Sequence, residues 1–281
     1  MVITLMKKTT NPVPIPLKPA PRSETLGANV LGQIKELLLT GQAQPGESLS
    51  LRSLAEAMGV SMMPVREAVY QLVADQALEV APNRSVCVPV MTAEQFEEIT
   101  RIRLHVEGYA VEQATRHVTP ALLRSLRDLN EALSLRMGEG GESLGQAILL
   151  NKSLHFQLYE AARMPMLLKI IEILWLRIGP VLNYDLRVGS ERTRDRIAVG
   201  HHAHMIDALE AGDAAGAREA LWRDIQSAYR HIVAKQYARD GTTDRARANR
   251  SGERAGTNGS GVASGGEAAG GSGTAGGDGL G

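Results

Sequence analysis

The stretch Pro45-Gly46-Glu47-Ser48-Leu49, Leu51-Arg52-Ser53-Leu54-Ala55, Met58-Gly59-Val60-Ser61-Met62-Met63-Pro64-Val65-Arg66-Glu67-Ala68, closed by Leu78-Glu79-Val80 and Val86-Cys87-Val88-Pro89, decides the fold of this chain. Leu51, Leu54, Ala55 and Met58 recur at helical spacing, and Gly59 stands where a helix end takes a left-handed residue. Ser61 can cap the next helix, Pro64 is tolerated in its first turn, and Val65, Ala68, Val69 and Leu72 form one apolar face. Residues 77–80 and 85–90 read as a hairpin with Pro82-Asn83-Arg84 near its tip. Two short helices, a tight turn and two short strands make a winged helix-turn-helix, whose second helix usually lies in the major groove of DNA.

The outward side of that second helix carries the chemistry. Met62 and Arg66 are four apart and share a face, and Ser61, Met62 and Met63 crowd its N-terminal end. Arg66 can hold guanine through two parallel hydrogen bonds or grip a phosphate, and Ser61 can donate to a phosphate beside the helix N-terminal amides. Arg52, one helix earlier, is placed for backbone or base, while Asn83 and Arg84 at the wing tip suit the minor groove. Any one arginine alone reads as a solvated surface residue; the frame joins them. From residue 22 to 90 there are five basic residues (Arg22, Lys35, Arg52, Arg66, Arg84) against seven acids (Glu24, Glu36, Glu47, Glu56, Glu67, Asp75, Glu79), so placed cations rather than a basic field must do the binding.

Outward from this unit, Val30, Ile34, Leu37 and Leu38 mark a preceding helix that begins near Thr25. Residues 1–21, rich in proline, read as a disordered arm, and 239–281, rich in Gly, Ser and Ala, as a disordered tail. Residues 22–90 form the winged unit. Residues 92–238 are helical throughout: Thr92-Ala93-Glu94-Gln95 is a capping-box sequence opening a helix to about 117. Others run from Thr119-Pro120 to about 137, then over 143–163, 165–186, 197–211 and 213–237, with a loop at 138–141. The expected fold class is mainly α, an N-terminal winged helix-turn-helix followed by an antiparallel all-α bundle.

The 281 residues suffice for two cores, and zero formal charge names no partner. The most apolar run, 164–182, contains Lys169, Glu172, Arg177 and Pro180, which reads as a buried or interface helix rather than a membrane span. The single cysteine, Cys87, excludes an intramolecular disulfide and fits a reducing, cytoplasmic setting; between Val86 and Val88 it reads as a buried strand thiol.

Within the bundle, Asn151 and His155 share one helical face, His202 lies on a later helix and Asp224 on the last long one. Two imidazoles, a carboxylate and an amide oxygen pointed into one bundle cavity can hold Zn²⁺, Mn²⁺ or Ni²⁺ with positions left for water or ligand. The alternative is that these scattered histidines make ordinary surface or core hydrogen bonds. Arg103 and Glu107 are one turn apart on one helical face and can pair with each other. Trp175 and Trp222 read as core or interface residues.

Residues 45–47 and 58–61 together with Pro64-Val65-Arg66-Glu67-Ala68 resemble the N-terminal domain of the GntR family of transcription regulators. Where that family typically has Ser-Arg-Thr-Pro-Val-Arg-Glu-Ala, Met62 and Met63 replace the arginine and threonine, and Ser85 stands where its wing usually has glycine. Two polar DNA contacts are thereby lost, although methionine can pack on thymine methyls. Arg103-x-x-x-Glu107, Asn151-x-x-x-His155, His202, Ala208-Leu209-x-x-Gly212-Asp213 and residues 217–225 resemble the C-terminal FCD domain of the FadR-type subfamily. The short 89–92 connection leans toward its VanR-like branch. Members of that subfamily with a metal typically present an aspartate where Asn151 stands, histidines at His155 and His202, and a third histidine where Asp224 stands.

The resemblance implies a non-enzymatic, homodimeric regulator, most often a repressor. Its binding to a double-stranded operator would be modulated by a small organic acid in the helical domain, with Arg103, on the helix that walls the family's cavity, as a partner for its carboxylate and with no membrane partner. The alternative to a metal is a pocket where the same polar residues hydrogen-bond the effector directly. A metal-dependent hydrolase using the His/Asp cluster and an effector-independent architectural DNA binder are the rival readings.

Overall fold

The structure, a computed structural model, describes residues 26–81, 84–140, 143–187 and 191–237. Asn83 and the arm and tail expected over 1–21 and 239–281 lie outside the described residues. Every element up to α10 belongs to one compact unit.

The winged unit is built as its periodicity predicts. Helix α1 (Leu26–Leu39) buries Val30, Ile34, Leu38 and Leu39. Helix α2 (Leu51–Met58) is capped by the Ser50 hydroxyl, which accepts from the Ser53 N–H at 3.2 Å, and ends at Gly59 with φ 65°, where a Cβ would strain the backbone. Helix α3 (Met62–Ala74) turns Val65, Ala68, Val69 and Leu72 onto α1 and α2.

The wing is a three-stranded sheet rather than a two-stranded hairpin. Strands β1 (Ser48–Leu49), β2 (Glu79–Val80) and β3 (Val86–Cys87) pair antiparallel in the order β1-β3-β2, with Ser48 opposite Cys87 and Val80 opposite Val86. At two residues, β1 is too short to show an alternating pattern. Val86, Cys87 and Val88 are all buried, so alternation fails here, and the Cys87 thiol meets Glu79 Oε1 at 3.5 Å.

The remainder is helical: α4 (Ala93–Ala114) with a 3₁₀ turn (Thr115–His117), α5 (Pro120–Glu139), α6 (Ser143–Ala161), α7 (Pro165–Arg187), α8 (Glu191–Arg194), α9 (Ile197–Glu210) and α10 (Ala214–Ile232), continued by a π-helical turn (Val233–Tyr237). The capping box at Thr92 is complete: its hydroxyl accepts from the Gln95 N–H at 3.3 Å and its own N–H donates to Gln95 Oε1 at 3.0 Å. Thr119 and Asp213 cap α5 and α10 through side-chain oxygens alone, which accept from the Leu122 and Gly216 N–H groups.

Helix α10 packs on α9 and α4, and α5 on α6 and α9, around a core that includes Leu126, Leu154, Leu158, Met205, Ile206, Leu209, Leu221 and Ile225. The fold class is therefore as expected: mainly α, a winged helix-turn-helix followed by an all-α domain. Two local expectations fail. Helix α5 runs through Gly138 and Glu139 before stopping at Gly140, so the loop is shorter than read; and α8, four residues long, has no periodic signature. No described helix is long and apolar enough to cross a membrane, because charges interrupt the 164–182 run.

Candidate functional site

Two surfaces carry chemistry. On the first, α3 shows solvent the face opposite its apolar stripe. Ser61, Met62, Met63 and Arg66 are exposed, Met63 to 61%. Ser61 occupies the N-cap position with extended backbone but makes no capping bond with its side chain. Arg52 is exposed and meets Glu56 at 3.3 Å, an exposed pair whose contribution is small and which a phosphate can displace. Arg84 is exposed at a positive φ of 65°, and Ser85 is half-buried beside it. Tyr70, 63% exposed and one turn beyond Arg66, extends the Met62–Arg66 face. The same four-residue spacing carried one step further would have found it.

The second lies inside the bundle. Helix α6 supplies His155, α9 His202 and α10 Asp224, and all three are buried. His155 Nε2 lies 3.1 Å from His202 Nε2 and 3.4 Å from Asp224 Oδ2, and His202 Nε2 lies 3.7 Å from that oxygen. Together they form a group that can hold a metal ion, with one ligand atom from each residue within 4.8 Å of the others.

The outer ring nitrogens set the tautomers. Asn130 donates from Nδ2 to the Val199 carbonyl at 3.1 Å, which turns its Oδ1 to His202 Nδ1 at 3.2 Å. Tyr159 donates to Glu107 Oε2 at 2.5 Å, so its oxygen accepts from His155 Nδ1 at 3.1 Å. With both rings protonated on Nδ1, as these partners require, both Nε2 lone pairs face the Asp224 carboxylate. Three acceptors that converge in this way can share a cation between them.

Arg103 closes the chain of hydrogen bonds. Its Nε and Nη2 donate to Glu107 at 2.6 and 3.2 Å, and its guanidinium lies 5.2 Å from the Trp175 ring centroid. The same-helix ion pair is thus formed, with three of the five guanidinium N–H groups still uncommitted to Glu107.

In the metal-free protein, burial works against the charge on Asp224, but hydrogen bonds from His155 and His202, and the charge these rings carry when protonated, outweigh it and hold the carboxyl well below its usual range; a cation between the three would take the place of those protons. Burial pushes the His202 imidazole down, more than Asp224 raises it. Burial and then the charge on Glu107 push the Tyr159 hydroxyl well up, which keeps it a donor. Burial opposes the charge on Arg103, and Glu107 more than restores it.

The lowered His202 value has a consequence for the metal-free protein. The unfolded chain takes up this proton first, so the contribution to stability is full above an unfolded pKa near 6.5. It is lost as pH falls from there through the lower folded value. Thermal midpoints measured from pH 7 to 5 in chelator should fall, and His202→Gln should flatten that slope; an unchanged slope contradicts the assignment.

A cavity of about 50 Å³ opens beside the cluster. Arg103, Asn151, His155, Trp175, Asn183, Thr193 and Asp224 supply its polar wall, and Leu133, Met137, Leu144, Leu182, Leu186 and Ile225 its apolar one. Two buried polar atoms of lining residues have no hydrogen-bond partner, Asp224 Oδ1 and Trp175 Nε1. Asn151 lines the cavity one turn before His155, and Trp175, read from sequence as core, is part of the wall. The sequence reading missed Asn130, Tyr159 and Asn183; Tyr159 alone carried a signal, four residues after His155.

An exposed reading helix on a winged unit, tied to a helical domain with a polar internal cavity, defines a ligand-responsive DNA-binding regulator. Family models agree: residues 26–88 match the bacterial regulatory proteins of the gntR family and 98–227 match the FCD domain. The chain belongs to the GntR family of transcription regulators, in the FadR-type subfamily whose effector-binding domain is FCD.

Among its relatives is the HTH-type transcriptional regulator McbR of Escherichia coli K12, 35% identical over 216 residues that span 76% of this chain and 96% of McbR. The solved structure of E. coli McbR/YncC superposes with a TM-score of 0.69 at 34% identity, covering 76% of this chain and 99% of that one. A putative transcriptional regulator GntR from Rhodococcus sp. RHA1 shares the fold, with a TM-score of 0.60 at 23% identity over 74% of this chain and 98% of its own.

Proposed function

We propose that this regulator binds its operator as a homodimer and acts as a repressor, with a divalent metal and a small carboxylate in the FCD cavity as its signal. The observation that carries the reading is the convergence of His155 Nε2, His202 Nε2 and Asp224 Oδ2, joined by the unpartnered Asp224 Oδ1. Zn²⁺, Mn²⁺ or Ni²⁺ suits this nitrogen- and oxygen-donor set. His155, His202 and Asp224 hold it, with Asn151 at the cavity edge. When bound, the ion supplies a positive centre with open positions for an anionic ligand.

Charge links the metal to the acid. Arg103 and Asp224 are the formally charged side chains among the described residues lining the cavity, and Glu107 neutralises Arg103. Without a cation the site is therefore net negative and disfavours a carboxylate; a divalent ion reverses the sign. The uncommitted Arg103 N–H groups and the Trp175 indole N–H are donors suited to carboxylate oxygens. At roughly 10–15 Å³ for each water-sized group, the cavity suits an acid of a few heavy atoms.

On the DNA side, Arg66, Met62, Met63, Ser61 and Tyr70 meet the major groove. Arg52 meets the backbone, and Asn83, Arg84 and Ser85 meet the adjacent groove. One recognition helix reads only a few base pairs, so a dimer on two half-sites is required for useful specificity. Exposed Ile102 and Tyr109, seven apart on α4, and Met166 and Ile170, four apart on α7, are apolar side chains suited to that association.

The relatives' names as regulators lend the hydrolase and architectural readings no support. DNase footprinting on the DNA upstream of the protein's own gene, with Zn²⁺ and a panel of C2–C6 carboxylic acids, tests the proposal. A paired protected site that one acid weakens is the expected result; protection that ignores both sequence and acids overturns it.

A further inference from the structure

A signal raised in the cavity must reach the reading helix, and one side chain touches both the cavity and the DNA-binding unit. Asn183 of α7 lines the cavity, and its carboxamide donates to the main-chain carbonyl of Leu39, the last residue of α1. The last carbonyls of a helix have no partner within it, so this bond acts as a C-terminal cap supplied by another domain. Helix α1 in turn packs against α3, which carries Arg66.

The seat is close-fitting. A Cβ on Gly179 would lie 3.3 Å from the Leu38 carbonyl oxygen and 3.4 Å from Leu39 Cα, so only glycine lets α7 approach α1 this nearly without displacing backbone. Pro180 follows inside α7 and has no N–H to give to the Leu176 carbonyl, which weakens the hydrogen-bond ladder in the turn that precedes Asn183. On the outer side, Lys35 meets Glu172 at 2.6 Å and Lys152 meets Glu36 at 2.5 Å, ion pairs that join α1 to α7 and α6 away from the cavity. Asn183, Leu38, Leu39 and Thr40 are all buried, so the Asn183 bond is shielded from water where the outer pairs are less so.

We infer that Asn183 couples the cavity to the DNA-binding unit. A carboxamide offers two N–H donors and one acceptor, and only one donor is committed to Leu39. A carboxylate in the cavity bonds the free N–H and, as a charged acceptor stronger than a carbonyl, swings the amide toward itself, which draws the other N–H from the Leu39 carbonyl and leaves the end of α1 uncapped. The winged unit then loses its fixed seat on α7, and two recognition helices can no longer be held at one spacing. The ligand shifts the equilibrium only because it bonds Asn183 in one state and not in the other. This rests on the reading of the cavity as the acid site.

The test uses the full chain. Zn²⁺ binding is measured by calorimetry, and the acid from a C2–C6 panel that most raises the melting temperature of the Zn²⁺-loaded protein serves as probe. Hydrogen exchange is then followed at the amides of residues 40–43, with and without the probe. In the wild type the probe should speed exchange there at least fivefold. Asn183→Leu should exchange about fivefold faster at the outset, respond no further, and bind Zn²⁺ within twofold of wild type. Lys35→Met, which loosens the same helix from the outside, should exchange faster yet keep its response to the acid.

If Zn²⁺ fails to bind, or no acid raises the melting temperature, the cavity reading fails and the coupling with it. If both bind but wild-type exchange at 40–43 does not change, or Asn183→Leu responds like wild type, the coupling is overturned and the cavity reading stands.

Discussion

Arg66→Ala is expected to abolish specific protection of the operator while leaving the dimer intact. Arg66 is exposed at the centre of the α3 face, between Met62 and Tyr70 and opposite Val65, Ala68, Val69 and Leu72. Its removal therefore takes no packing from the core. A bidentate arginine–guanine contact contributes about 1–3 kcal/mol. A dimer makes two of them, so the loss is at least roughly thirtyfold in affinity. The effect should be larger here than in relatives with an arginine at position 62, because Met62 leaves fewer cations to share the load. Fluorescence anisotropy on the footprinted site, with sedimentation as the check on the dimer, measures it. Affinity within a few-fold of wild type removes Arg66 from the interface.

The second large effect is on the metal. His155→Ala combined with His202→Ala should take bound metal from about one ion per chain to none by elemental analysis. Because both side chains are buried, the alanines also leave voids, so Asp224→Asn is the cleaner companion: nearly the same shape, one charge fewer. A ligand that binds only the folded state at 100–1,000 times its Kd stabilises by about 3–4 kcal/mol. For a domain of this size that is roughly 5–15 °C in melting temperature. Chelator should therefore lower the wild-type midpoint by about that much and leave both variants unmoved. Stoichiometry that survives the double substitution places the metal elsewhere.

Local signals in this chain were legible because they are local. Gly59 at the left-handed end of α2, Thr92 three residues before Gln95, and the apolar spacing of α3 each concern one turn of backbone, and each appears as read; Ser61 takes the N-cap position of α3 without the side-chain bond. Asn151 and His155 share a face for the same reason. What sequence could not show is which faces meet. Glu107 reaches Tyr159 across 52 residues and Lys35 reaches Glu172 across 137, and no periodicity within a helix encodes such pairings.

The His202 tautomer depends on Asn130, which stands on α5 with nothing about its neighbours to mark it. Arg103 shows the limit from the other side. Both the Glu107 pair and the cavity position were legible as alternatives, and the structure has both at once, because a guanidinium has donors enough for two partners. Trp175 is a core residue as read; that it also packs on Arg103 and His155 at the cavity wall has no mark in the sequence.

The most direct measurement is operator affinity in four conditions: with chelator, with Zn²⁺, with the probe acid in chelator, and with both Zn²⁺ and acid. Because the metal-free cavity is net negative, the acid should change affinity at least tenfold when Zn²⁺ is present and leave it unchanged in chelator. An acid that acts equally in both, or in neither, contradicts the account.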